Sequence, residues 1–183
     1  SLSKELRQDS PLYPTVLLAL GRAYSEGGKH QKAHDTFDKA LALRPNSAAV
    51  LNELAWEKTV YLDQPKTALP LARRSVKLSR HNPELQHHCQ DTLGTTLYRL
   101  KRYTEAASML RPAIRVKDTT ARRIRLAKVC RKRGEKQQAE KHLVVAGRIA
   151  SEKDNQSALD EIRTLRKALN RNGQLTKERR NTK

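Results

Sequence analysis

Apolar residues along this chain recur at intervals of three and four and form no alternating, β-branched run, so the pattern predicts amphipathic helices rather than strands. Between residues 14 and 47, Leu17, Leu20, Gly21 and Tyr24 share one face of a first helix. Ala33, Phe37 and Ala40 share a face of a second, and Pro45 closes the unit. The same pattern returns three times. Over about 48–82 it is carried by Leu51, Leu54 and Ala55, then Ala68, Ala72 and Ser75. One extra residue lies between these two helices, around Leu62-Asp63-Gln64-Pro65. Pro65 suits the first turn of the second helix, where a missing N–H costs nothing. Over about 83–119 the pattern is Leu93, Gly94, Leu97, Tyr103, Ala106, Leu110 and Ala113, opened by Pro83, with Asp118 where a closing Pro would stand. Over about 120–152 it is Leu126, Ala127, Cys130, Gly134, Ala139, Leu143 and Ala146.

The residue types have a physical reason. Gly21, Ala55, Gly94 and Ala127 are small where the first helix of each pair presses closest on the second, and Ala33, Ala68, Ala106 and Ala139 answer them from the second helix. No pair buries its apolar face alone, so stacking of successive pairs must supply the core. A bundle of unrelated helices would share the periodicity but not four copies of these small residues in register.

Beyond the fourth unit, Ser151-Glu152-Lys153-Asp154 offers a polar break with N-cap candidates. Ala158, Ile162, Leu165 and Leu169 then define one apolar stripe, which predicts a capping helix over 153–172 that ends at Asn172-Gly173. The remaining 173–183 lack a stripe and read as a mobile basic tail. Residues 1–13, with Leu2 and Leu6 before Asp9-Ser10-Pro11, read as the end of a preceding repeat. With the opening Ser1-Leu2-Ser3 and Met109 as the only methionine, they suggest a segment of something longer.

The ordered set Leu17, Leu20, Gly21, Tyr24, Ala33, Phe37, Ala40 and Pro45, in a unit of 34 residues, resembles the tetratricopeptide repeat, with Leu17 in place of the leading Trp. The resemblance implies an all-α, right-handed α-solenoid of about four helical hairpins with a C-terminal capping helix. It also implies a concave groove, lined by the first helices, that takes an extended peptide or a partner helix. Carried onto this chain, the groove positions are Leu18, Arg22 and Ser25, then Asn52, Trp56 and Thr59, then His88, Asp91, Thr95, Tyr98 and Arg99, and last Ile124, Lys128, Arg131 and Lys132. Trp56 and Tyr98 are the aromatic anchors of this set. The Lys/Asn/Arg clamp by which some members hold a C-terminal carboxylate is not reproduced, since its positions carry Leu18, Arg22, Glu53, His88 and Thr92. The unit with Trp56 and the stretch 91–114 are also similar to bacterial repeat proteins of envelope assembly and polysaccharide export.

Charge adds a direction. The formal net charge is +19, and residues 111–183 hold 22 basic and 8 acidic side chains. A field of one sign attracts acidic proteins, nucleic acid or an anionic membrane without choosing among them. The leading reading is a non-catalytic scaffold that binds an acidic peptide or helix in the groove. The alternative is a basic solenoid on nucleic acid or an anionic membrane, supported by Arg122, Arg123, Arg125, Lys128, Arg131, Lys132 and Arg133 in one predicted helix and Lys177, Arg179 and Arg180 in the tail. A domain joined to an enzyme elsewhere is a third.

Nothing in the pattern supplies catalysis, and no cofactor or metal is expected. Cys89 and Cys130 stand 41 residues apart with no CxxC, and no Gly-rich phosphate loop or nucleophile elbow occurs. His30 and His34 share a helix face without a companion Glu, and His87 and His88 read as surface residues that point apart. No transmembrane run or signal peptide is present. The compartment is left between the cytoplasm and, were a leader removed, a bacterial periplasm, and the oligomeric state is left open.

Overall fold

The structure is a computed structural model that describes residues 10–181, with side chains described through residue 170. The expected remnant of a preceding repeat, with Leu2 and Leu6, lies outside the described residues. Among those described there is no strand. The helices are α1 (Tyr13–Glu26), α2 (His30–Leu43), α3 (Ala48–Trp56), α4 (Pro65–Leu78), α5 (Pro83–Arg99), α6 (Tyr103–Val116), α7 (Thr120–Lys132), α8 (Lys136–Ser151) and α9 (Gln156–Asn181). The chain divides into two compact units, Ser1–Lys101 and Arg102–Lys183.

In the first unit, α1 packs on α2 and α3 on α4, with α5 against both α3 and α4. Phe37 is fully buried in a cluster with Leu17, Ala33, Ala40, Val50 and Leu54. Gly21 makes room for it. A Cβ at Gly21 would stand 2.6 Å from Cδ1 and 2.9 Å from Cζ of the Phe37 ring, and closer still to Cε1. Ala55 and Ala68 are likewise sealed from solvent. Helix starts are fixed locally. The Ser47 Oγ accepts from Val50 N at 3.4 Å, Asn82 Oδ1 accepts from Leu85 N at 3.1 Å, and Pro65 and Pro83 occupy first-turn positions.

The extra residue of the second hairpin goes into the helix rather than only into the turn. After Trp56 the backbone continues as a π-helical turn over Glu57–Tyr61, in which Leu62 N reaches back to Glu57 O at 3.0 Å. Asp63, at φ 51°, then reverses the chain into Pro65.

In the second unit, α7 packs on α6 and α8, and α9 lies on α8 and α7. Ala106, Ala127 and Ala139 are buried, as are Leu126 and Leu143. The Thr119 Oγ caps α7 by accepting from Arg122 N at 3.3 Å. The α9 cap is Asn155, whose Oδ1 accepts from Ala158 N at 3.0 Å, so the cap lies one residue beyond the expected stretch 151–154. Ile162, Leu165 and Leu169 are buried, as their stripe predicts. Asn172-Gly173 does not end α9, whose backbone stays helical to Asn181. A helical Gly costs about 1 kcal/mol relative to Ala. The residues that follow, Gln174, Leu175, Lys177, Glu178, Arg179 and Arg180, are good helix formers that offset it.

Candidate functional site

The first helices of the first unit are stitched side to side. Arg22 on α1 donates from Nε at 2.9 Å and from Nη2 at 2.7 Å to Glu53 Oε1 on α3. The Ser25 hydroxyl donates to the Glu57 carboxylate at the start of the π turn. Thr59, in that turn, shares a 2.8 Å hydrogen bond with Thr96 on α5. These contacts join residues 31, 32 and 37 apart in sequence, so equivalent helices lie in a row: α1, α3, α5.

Along that row the expected groove positions separate into two kinds. Leu18, Trp56, Asp91, Thr95 and Tyr98 are half-buried, and His88, Arg22 and Arg99 are exposed. Arg22 is neutralised by Glu53, Arg99 stands 3.8 Å from Asp63, and the Thr95 hydroxyl donates to the Asp91 carbonyl at 2.9 Å. Thr59 is not a groove residue, because its side chain is buried and spent on Thr96. Asn52 is only 7% exposed, and its Oδ1 is shielded from solvent without a hydrogen-bond partner.

Two expectations about histidines change. His87 is buried rather than at the surface, and its ring lies 4.1 Å from that of His88, tilted by 43°. Adjacent helical side chains diverge at Cβ, but large rings reach back toward one another. His30 stacks on Tyr61 at 3.8 Å with planes 10° apart, and its Nδ1 lies 3.2 Å from Glu57 Oε2. Glu57, 1% exposed, is thus a buried carboxylate held by Ser25 and His30. Sequence reasoning passed over it because a charged residue in a polar-looking stretch reads as solvated. The available signal was the length anomaly immediately after it.

The cations of α7 are mostly engaged within the second unit. Arg122 is buried and donates from Nη1 to Lys117 O at 2.8 Å and Ala113 O at 3.3 Å, closing the C-terminal turn of α6. Arg123 grips Asp118 through two hydrogen bonds, at 2.8 and 2.6 Å. Lys128 pairs with Glu161 on α9 at 2.6 Å, and Arg133 pairs with Glu135 at 2.8 Å. Arg131 is half-buried with its Nε shielded, Lys132 is exposed, and Ile124 is buried, so Ile124 does not face a groove.

The thiols are poor nucleophiles. Burial pushes the Cys89 thiol up. Burial first, then Glu135, push Cys130 up to about 11. Among the described residues no cluster of His, Cys, Asp and Glu has the make-up of a metal site, and no helix is long and apolar enough to cross a membrane.

The family model for the tetratricopeptide repeat matches residues 14–47 and again 88–117. The chain is a tetratricopeptide-repeat protein. Solved structures of similar fold include MamA from Desulfovibrio magneticus RS-1, 20% identical, with 77% of each chain covered and a TM-score of 0.64. A thermophilic tetratricopeptide-repeat protein of Thermus thermophilus, TTC0263, is 23% identical over 81% of this chain and 80% of that one, with a TM-score of 0.67. BtubC (BKLC) from P. vanneervenii is 20% identical over 82% of this chain and 68% of that one, with a TM-score of 0.69. No curated protein matches the chain. The fold is that of an all-α helical-repeat solenoid. Tetratricopeptide-repeat proteins bind protein partners and are in general non-catalytic, and this one is a protein-interaction scaffold.

Proposed function

We propose that the first unit holds a peptide or helix of a partner protein along the face made by α1, α3 and α5, and that the protein acts by this binding without catalysis. The observation that carries the reading is the row of cross-helix contacts, Arg22–Glu53, Ser25–Glu57 and Thr59–Thr96, which makes three helices into one continuous surface. Trp56 and Tyr98 supply its aromatic anchors, and Arg22, Asp91, Thr95 and Arg99 its polar edge, while Asn52 is buried beneath it. Because Arg22 and Arg99 have carboxylate partners, specificity here comes from the anchors and from hydrogen bonding more than from net charge. In the second unit the expected binding residues are Lys128, Arg131 and Lys132, of which Lys128 is spent on Glu161.

The nucleic-acid alternative loses support for the same reason. Phosphate binding draws on cations free to replace counterions. Arg122, Arg123, Lys128 and Arg133 are committed to the protein's own carbonyls and carboxylates.

The test is a peptide-display selection on the full chain, followed by anisotropy titration of the selected peptides. Trp56→Ala should weaken binding by about 2 kcal/mol or more, as for a hot-spot anchor. Selected peptides that bind Trp56→Ala and Tyr98→Ala as tightly as the parent would exclude this face.

A further inference from the structure

The free positive charge of the second unit lies on the outer face of α8. The inner face of that helix, Ala139, Leu143, Ala146 and Ala150, is sealed into the core. The opposite face carries Lys136, Gln137, Lys141, Val144 and Arg148, all exposed. In contrast to α7, the cations Lys136, Lys141 and Arg148 have no ion pair among the described residues, while Glu140 beside them is taken by Arg166 at 2.8 Å.

Between these cations lies a shallow, open patch on α8 itself, made by Lys136, Gln137, Glu140, Lys141, Val144 and Val145. Its surface is apolar, built from the two valines and the aliphatic stems of the lysines. Val144, 54% exposed, stands at the centre of this charged face.

We propose that this face of α8 is a second docking surface, which takes an acidic segment of a partner protein bearing one apolar anchor residue. The apolar patch around Val144 receives the anchor, and Lys136, Lys141 and Arg148 receive carboxylates on either side of it. One exposed valine flanked by cations offers contact to a single anchor side chain but too little apolar area for insertion into a bilayer. The inference rests on the protein-binding reading but not on the α1–α3–α5 face, so either surface can fail alone. It also assigns a place to the excess charge of the C-terminal half, which the paired cations of α7 do not.

The probe is a fluorescein-labelled peptide with a central leucine flanked on both sides by glutamates, titrated against the full chain by anisotropy. The comparators are the same peptide with alanine for leucine, and phosphatidylserine-containing vesicles. Saturable binding that weakens with added salt and with loss of the leucine is expected. The double variant Lys136→Glu/Lys141→Glu should bind roughly tenfold more weakly, and Val144→Asp should lose the preference for leucine. These positions are exposed, so circular dichroism should show both variants folded. Lys32→Glu/Lys39→Glu, an equal change of charge on the exposed side of α2, should leave binding unchanged. No saturable binding, an equal loss in Lys32→Glu/Lys39→Glu, or binding to vesicles in place of the peptide would each overturn the proposal.

Discussion

The replacement Gly21→Ala puts the close approach of α1 and α2 to a quantitative test. The added methyl group would enter the space of the Phe37 ring, within 2.9 Å of Cζ and 2.6 Å of Cδ1. Ordinary carbon contacts lie at about 3.5–4.0 Å. The ring cannot swing into solvent, because Phe37 is sealed among Leu17, Ala33, Ala40, Val50 and Leu54. Overpacking of this kind costs about 1–3 kcal/mol, and three clashing ring atoms place it toward the upper end. Alanine returns about 1 kcal/mol of helix propensity. The net expectation is a loss of about 1–2 kcal/mol, against a gain of about 1 kcal/mol were the site open. Urea denaturation followed by circular dichroism would show the loss as a lower midpoint at unchanged slope. A second arm localises the cause. Phe37→Leu removes ring atoms, so Gly21→Ala/Phe37→Leu should be less destabilised than the two single losses summed, with a coupling of about 0.5–3 kcal/mol. Equal or greater stability of Gly21→Ala, or strict additivity in the cycle, would refute the close-contact account.

Two further predictions concern the second unit. Arg122→Met removes the guanidinium that holds Lys117 O and Ala113 O, and should cost about 2–3 kcal/mol in urea denaturation, with Arg122→Lys intermediate; an unchanged midpoint would mean that those carbonyls need no cap. His142 has its pKa lowered from 6.5 by burial first, then by Arg123 and Arg111, with Asp118 opposing, and its Nδ1 accepts from Arg123 Nη1 at 3.0 Å. The unfolded chain therefore takes up the proton first as pH falls through 6.5, and stability drops until pH passes below the folded value. His142→Gln should show a smaller fall in urea midpoint than the parent over this range, and parallel pH curves would remove His142 as the cause.

The parts of this fold that could be read in the sequence are those set by short, periodic contacts. Ala33, Ala55, Ala68, Ala106, Ala127 and Ala139 are buried where their register puts them, because a small residue at a helix crossing has one physical explanation. Ile162, Leu165 and Leu169 were legible for the same reason. What escaped depends on geometry that spacing does not encode. An extra residue near Leu62 can widen a turn or enter a helix, and here it enters the helix. A run of arginines and lysines states charge but not pairing, so Arg122 looked like surface when it is a buried cap. Thr59 and Ile124 have groove-like spacing, yet the exposure of a position at the edge of a helical stripe depends on how closely the next helix approaches.

The π turn at Glu57–Tyr61 lets the helix absorb an insertion in place. One added residue in a helix advances everything after it by about 100°, its share of a turn of 3.6 residues. Ahead of the turn, Ala55 keeps its inward contact, so the hairpin retains its packing. The wider turn takes up that residue locally, so the advance is not passed on, and Tyr61, at its end, stacks on His30. Deleting one residue here would therefore not merely shorten a connection. It would close the wide turn to an ordinary one and take a residue from the segment that sets Glu57 against Ser25 and Tyr61 against His30, while the helix contact upstream stayed as it was.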